Sequence, residues 1–142
     1  MQSMNEDEWR AFIMHNSRTG KLATIRDDGR PHVVPIWFIV DKEGLLFMTG
    51  EKTVKASNIR RDPRVAISVD DQTFPYSYVT IEGEAQILHP EPDTLLEIAT
   101  EIARRYVGDE QAVQYGQRNA VPGELLIRLS PTKILSGKDV AL

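Results

Sequence analysis

Residues 20–64 decide the fold and read GKLATIRDDGRPHVVPIWFIVDKEGLLFMTGEKTVKASNIRRDPR. β-Branched and aromatic residues predict three strands here: one beginning at Lys21, one over 32–40 and one over 45–49. Turn-forming residues separate them, at 27–29 and at 41–44. The stretch therefore predicts consecutive antiparallel strands joined by tight turns.

Pro35 lies inside the second predicted strand. Proline has no N–H to donate to a neighbouring strand, so it is found on edge strands and at bulges. The strand over 32–40 is therefore an edge, carries a bulge, or leaves its neighbours' backbone groups free for a ligand.

A short helix is predicted over 53–61, directly after the third strand, and Asp62-Pro63 ends it. Thr49, Lys52, Thr53 and Lys55 lie where the strand gives way to this helix. Free backbone N–H groups and the helix dipole favour an anion at such a place. The GxxxxGK[ST] spacing of a nucleotide-hydrolysing loop is absent, so the pattern predicts a seat for one phosphate on a cofactor.

The remaining sequence predicts three more strands and further helices. The strands are expected over 64–69, 78–88 and 125–129, and the helices over 94–106 and 109–119. Ser3 and Glu6 have the spacing of a capping box and predict an N-terminal helix with Trp9 and Ile13 on one face. Six short strands with flanking helices predict a single domain, residues 1–142, folded as a mainly β, six-stranded antiparallel barrel.

Composition narrows the class of function. The chain has 142 residues, a formal net charge of −4 and no cysteine. This excludes thiolate catalysis and cysteine-based metal sites, and it gives no basic field for nucleic acid. The three histidines have no metal-ligand spacing. No signal peptide or membrane-spanning run is evident, so we expect a cytoplasmic protein without a membrane or nucleic-acid partner.

The order of three motifs resembles the FMN-binding split-barrel superfamily that includes pyridoxamine 5′-phosphate oxidase. The motifs are GKLATIRDDGRPHVVPIWF, LLFMTGEKTVKASNIRRDPRVAISV and YVTIEGEAQI. Within that superfamily the chain is most similar to the flavin- or deazaflavin-dependent oxidoreductases that use FMN or coenzyme F-420. The C-terminal sequence LSPTKILSGKDVAL lacks the tryptophan and arginine of true pyridoxamine phosphate oxidases, which argues against vitamin B6 oxidation.

The resemblance implies a homodimer with cofactor at the subunit interface. It places Lys52, Thr53 and Lys55 at the cofactor phosphate and Thr49 near the ring or the ribityl chain. It also lays the segment from His32 to Trp37 along the ring system, with the backbone of Val34, Pro35 and Ile36 at the pyrimidine edge.

Three further residues have two interpretations each. Trp37 and Tyr78 either flank a planar ring or pack in a core or interface, and Asn58 either caps its helix locally or touches the ligand. No nucleophile or acid–base pair is evident, so no catalytic side chain is predicted, as suits a cofactor that carries the hydride chemistry itself.

The sequence thus predicts an enzyme that transfers a hydride between F-420 or FMN and a small conjugated or heteroaromatic substrate. The alternatives are a carrier that binds the cofactor without turnover, an FMN-dependent oxidase, and a haem-handling split barrel, for which His32 and His89 would be poor axial ligands.

Overall fold

The computed structural model describes residues 2–142 as a mainly β protein with flanking helices. The strands are β1 (Gly20–Ile25), β2 (Pro31–Ile36), β3 (Ile39–Val40), β4 (Leu45–Gly50), β5 (Arg64–Asp71), β6 (Ser77–Leu88) and β7 (Glu124–Gly137). The helices are α1 (Glu6–Met14), α2 (Val54–Arg61), α3 (Pro92–Val107) and α4 (Asp109–Asn119). All seven strands form one antiparallel sheet in the order β2-β1-β5-β6-β7-β4-β3, which curls as a split barrel.

The sheet has seven strands rather than the predicted six because the run over 32–40 divides. β2 pairs with β1 at one edge of the sheet, whereas β3 pairs with β4 at the opposite edge. Only Trp37 and Phe38 join the two edge strands. Three peptide links reach at most about 11 Å, so the two edges must approach each other here. Trp37-Phe38 is therefore a bridge across the split of the barrel.

The last strand is longer than the predicted 125–129, because β7 continues beside β6 to Gly137. The ladder shifts register between Glu82 and Gly83, opposite Pro131, because β7 has one extra residue there, Thr132. Such an irregularity accommodates a residue that cannot donate a ladder hydrogen bond.

The capping box of α1 is built from Asn5 and Glu8 rather than from Ser3 and Glu6. The Glu8 N–H donates to Asn5 Oδ1 at 2.8 Å, and the Asn5 N–H donates to Glu8 Oε1 at 3.1 Å. Both pairs have the same three-residue spacing, and asparagine caps helices as well as serine does, so spacing alone could not choose between them.

The core lies inside the curl of the sheet. The alternation predicted for β6 is confirmed, since Val79, Ile81, Gly83 and Ala85 are buried. Phe38 is fully buried as well. Both Trp9 and Ile13, on the predicted face of α1, join the same core.

Candidate cofactor-binding site

A cavity of about 410 Å³ lies beside the bridge between β2 and β3. Seven elements or their flanking residues contribute to its wall. The lining residues are Thr19, Pro35, Ile36, Trp37, Met48, Lys55, Ala99, Ile102, Asn119 and Glu124. A mostly apolar wall with a few polar groups is typical of a small-molecule site.

The turn between β4 and α2 is held by two threonine hydroxyls. Thr53 is the N-cap of α2: its Oγ1 accepts from the Ala56 N–H at 3.3 Å and donates to the Gly50 carbonyl at 2.8 Å. Because its single proton is used there, the Thr49 hydroxyl donates to Thr53 Oγ1 at 2.9 Å. Thr49, which is 4% exposed, therefore supports the cap from inside the barrel.

The start of α2 offers a donor set that fits an anion. The N–H groups of Val54 and Lys55 belong to the first turn, where a helix supplies no acceptor. Across residues 2–142 neither has a backbone or side-chain acceptor. The half-buried Lys55 adds an ammonium group at the cavity wall. Two oriented N–H groups and one cation suit a phosphate.

Lys55 shares the cavity with a carboxylate that the sequence did not single out. Burial lowers the pKa of the Lys55 ammonium, and the negative charge of Glu124 partly offsets this. Burial likewise raises the pKa of the Glu124 carboxyl, and Lys55 opposes that change. Lys55 and Glu124 are the only charged residues among those that line the cavity.

The aromatic wall of the cavity is Trp37, which stacks on Tyr106. The rings of Trp37 and Tyr106 lie 5.0 Å apart between centroids and 5° from parallel. The Tyr106 hydroxyl donates to the Arg18 carbonyl at 2.9 Å and accepts from the Phe38 N–H at 3.2 Å. Trp37 therefore has its position set by α3, while 36% of its surface stays exposed.

Arg105 anchors this part of α3 to α1. Its guanidinium donates to the carbonyls of Asn16 at 2.9 Å, Ile13 at 2.7 Å and Phe38 at 2.6 Å. The group also lies over the Phe38 ring, 4.5 Å from its centroid. A cation thus satisfies carbonyls at the C-terminal end of α1 that have no partner within the helix.

The other residues expected at the site are spread more widely. Lys52 is exposed and does not line the cavity. Asn58 is 4% exposed and its amide is engaged within the protein: Nδ2 donates to Thr24 Oγ1 at 3.0 Å, and Oδ1 accepts from Arg61 at 3.0 Å. Since both ends of its amide have protein partners, Asn58 has a structural role, connecting α2 to β1.

The two aromatic residues that were expected to flank a ring, Trp37 and Tyr78, lie in different pockets. Tyr78 lines a different pocket, with Asp70 and Tyr76, so only Trp37 of the expected pair flanks the cavity. His32 and Val34 alternate with exposed residues on β2 and are half-buried. Within residues 2–142 the buried Nδ1 of His32 has no hydrogen-bond partner.

Comparison with known proteins gives the family. Residues 6–136 match the family model described as pyridoxamine 5′-phosphate oxidase. The chain belongs to this family. Its members include oxidoreductases, and the sequence-based prediction of the split-barrel superfamily is confirmed.

Three proteins illustrate what the chain is similar to in sequence and structure. The crystal structure of conserved hypothetical protein Rv2991 from Mycobacterium tuberculosis is 33% identical, with a TM-score of 0.82 over 96% of this chain and 86% of that one. A structure described as an F420 reductase is 29% identical, with a TM-score of 0.68 over 88% of this chain and 94% of that one.

The third relative is the 5a,11a-dehydrotetracycline/5a,11a-dehydrooxytetracycline reductase of Streptomyces rimosus. It is 41% identical over 77 residues, which are 49% of this chain and 54% of that protein. The chain thus matches about half the length of this curated relative.

Residues 2–142 have neither a membrane-spanning helix nor a cluster of metal-binding side chains. No helix in this part of the chain is long and apolar enough to cross a membrane. The same residues contain no cluster of three or more His, Cys, Asp or Glu side chains that could hold a metal ion.

Proposed function

We propose that this protein is an oxidoreductase that transfers a hydride between F-420 or FMN and a small conjugated or heteroaromatic substrate. The observation that carries the proposal is that Lys55 and Trp37 line one cavity. A cofactor with a planar ring and a phosphate on a side chain matches a cavity with an aromatic wall and a cationic end.

The phosphate would be held by Lys55 and by the N–H groups of Val54 and Lys55. Lys52, being exposed, would add only long-range attraction. Thr53 would act by holding the turn, since its hydroxyl is occupied by Gly50 and Ala56. Thr49 would support Thr53 rather than contact the ring.

The ring system would lie along β2, beside Pro35 and Ile36, which line the cavity. β2 is an edge strand that pairs only with β1, so alternate residues direct backbone groups away from the sheet. Those backbone groups of the segment Val34, Pro35 and Ile36 that point away from β1 would bind the polar edge of the ring. Pro35 can offer only its carbonyl.

When bound, F-420 supplies hydride chemistry alone, whereas FMN also allows single-electron chemistry and reaction with oxygen. The protein's task is then to bind, orient and exclude water. The apolar wall formed by Met48, Ala99 and Ile102 provides the dry surface. This division of labour needs no nucleophilic side chain.

We also propose that the protein is a cytoplasmic homodimer with the cofactor at the subunit interface. Val33 on β2 is 59% exposed, and Pro35 on the same face is exposed as well. A partner that covers this face would bury apolar surface beside the cavity and enclose the ring. His32, which is also expected beside the ring system, lies on the same strand.

The function is tested by fluorescence titration of the purified protein with FMN and with oxidised F-420, followed by turnover of the reduced cofactor with candidate acceptors. Binding with turnover supports the proposal. Binding without turnover would instead indicate a carrier, oxygen-dependent turnover with FMN would indicate an oxidase, and a Soret band after haem addition would indicate haem handling.

Lys55→Ala gives the sharpest test of the phosphate seat. Removal of the only cation in the cavity lining should weaken cofactor binding at least about tenfold, since charged hydrogen bonds contribute about 1.5–3 kcal/mol each. Lys52→Ala, which removes an equal charge three positions earlier, is the matched control and should change the affinity much less. Equal effects of the two variants would contradict a seat at Lys55.

A further inference from the structure

Glu124 is the first residue of β7 and lies opposite Gly50 in the ladder. A Cβ placed on Gly50 would lie 3.6 Å from Glu124 Oε1. The carboxylate is therefore beside the turn that leads into α2. A side chain from the far end of the sequence thus reaches the proposed phosphate seat.

Glu124 and Lys55 both line the cavity, but their side chains do not contact each other as an ion pair. Within residues 2–142 no ion pair with an N···O distance of 4.0 Å or less joins them, and neither side chain makes a hydrogen bond. Both are half-buried, and each acts electrostatically on the other. Both charged groups thus border the same cavity without forming an ion pair.

We propose that Glu124 shifts the selectivity of this site towards a phosphodiester and away from a terminal phosphate monoester. This inference rests on the proposed function, and it names the class of cofactor that the site prefers. A monoester carries about −1.5 to −2 charges near pH 7, whereas a phosphodiester carries a single negative charge. Repulsion by the Glu124 carboxylate grows with the charge of the ligand, so it penalises the monoester more.

Attraction by Lys55 also grows with ligand charge, but the carboxylate offsets part of it. Lys55 and Glu124 together have no net charge, so the binding of one negative charge relies on the oriented N–H groups of α2 and on close contact with the ammonium. The second negative charge of a monoester meets a cavity with no further cation in its lining. Glu124 therefore shifts the ratio of affinities towards F-420, whose side chain contains a phosphodiester, and away from FMN.

The test compares wild-type protein with Glu124→Gln by fluorescence titration with FMN and F-420 at pH 8. The glutamine keeps the size of the side chain and removes its charge. Because the electrostatic energy scales with the charge of the phosphate group that lies beside Glu124, we expect about threefold tighter binding of F-420 and about tenfold tighter binding of FMN. Riboflavin, which has no phosphate, should show no comparable gain.

Glu51→Gln is the matched control, because Glu51 lies at the adjacent turn but is exposed and does not line the cavity. It should leave the ratio of the two affinities unchanged. A second variant, Asn119→Asp, adds a carboxylate to the cavity wall and should weaken FMN binding more than F-420 binding. Thermal unfolding of each variant checks that it is folded.

The outcomes separate this inference from the proposed function. If the wild type binds a cofactor but neither Glu124→Gln nor Asn119→Asp alters the ratio of affinities, charge selection by Glu124 is wrong and the proposed function stands. If the wild type binds neither cofactor, both proposals are overturned.

Discussion

At the scale of single residues, the candidate site depends on side chains that are distant in sequence. Lys55 could be found from the sequence because it lies at a strand-to-helix junction, where local patterning has a clear chemical meaning. Glu124 and Tyr106 could not be found in this way. Glu124 reaches the cavity through strand pairing, whereas Tyr106 supports Trp37 through helix packing, and neither is part of a recognisable local motif.

Tyr106→Phe tests the anchoring of the aromatic wall. The substitution keeps the stacked ring but removes the hydroxyl that joins the Arg18 carbonyl to the Phe38 N–H. We expect a loss of about 1–3 kcal/mol in the free energy of unfolding, measured by urea denaturation. Tyr115→Phe, on α4, is the matched control. A loss no larger than that of the control would contradict an anchoring role.

Intrinsic tryptophan fluorescence provides a second measurement on the Tyr106→Phe variant. Trp37 stacks on Tyr106, so a looser wall should change the emission spectrum of the folded variant. The protein contains only two tryptophans, and Trp9 is buried in the core away from the cavity lining. Trp37→Phe identifies which part of the signal belongs to Trp37.

At the scale of elements, most helices and strands could be predicted from the sequence. The errors lie where contacts distant in sequence determine where a strand ends. The strands with alternating or β-rich patterns were found because side chains on one face share one environment. The break at Trp37-Phe38 was missed because the bridge is as apolar as a strand. The extension of β7 past Pro131 was missed because the register shift that accommodates the proline depends on pairing with β6.

The turn between α2 and β5 gives a prediction about pH. Arg64 holds the Asp62 carboxylate through two side-chain hydrogen bonds, of 3.0 and 2.7 Å, and lowers the pKa of Asp62 to about 2. The unfolded value is about 3.9. A carboxyl whose folded pKa is lowered stabilises the fold above the unfolded value, and this contribution is lost as the pH falls towards 2.

Asp62→Asn should therefore lower the melting temperature at pH 6, and the difference from wild type should shrink between about pH 4 and pH 2. Thermal unfolding measured across this range checks the prediction. Asp27→Asn, at the exposed turn between β1 and β2, is the control. A difference that stayed constant from pH 6 to pH 2 would show that the ion pair does not contribute.

At the scale of the whole molecule, the bridge joins the two edges of one sheet. The side chain of Phe38 is fully buried, and Arg105 lies over its ring. The neighbouring Trp37 faces the cavity. The same dipeptide thus closes the barrel with one side chain and forms part of the candidate site with the other.

Phe38→Ala should cost about 3–5 kcal/mol in the free energy of unfolding, because it leaves a cavity in the core and removes the surface on which Arg105 packs. Urea denaturation measures the loss. Val113→Ala, at an exposed position of α4, is the control and should change stability little. A similar small effect for Phe38→Ala would mean that the bridge does not hold the barrel closed.

The bridge also affects the entropy of ligand binding. Trp37 is fixed by a backbone whose next residue is locked in the core and by a ring stacked on α3. The rotational freedom of this indole is thus lost when the chain folds, rather than when a ligand arrives. Binding of a planar molecule would then order fewer side chains, and preorganisation of this kind strengthens affinity without adding a contact.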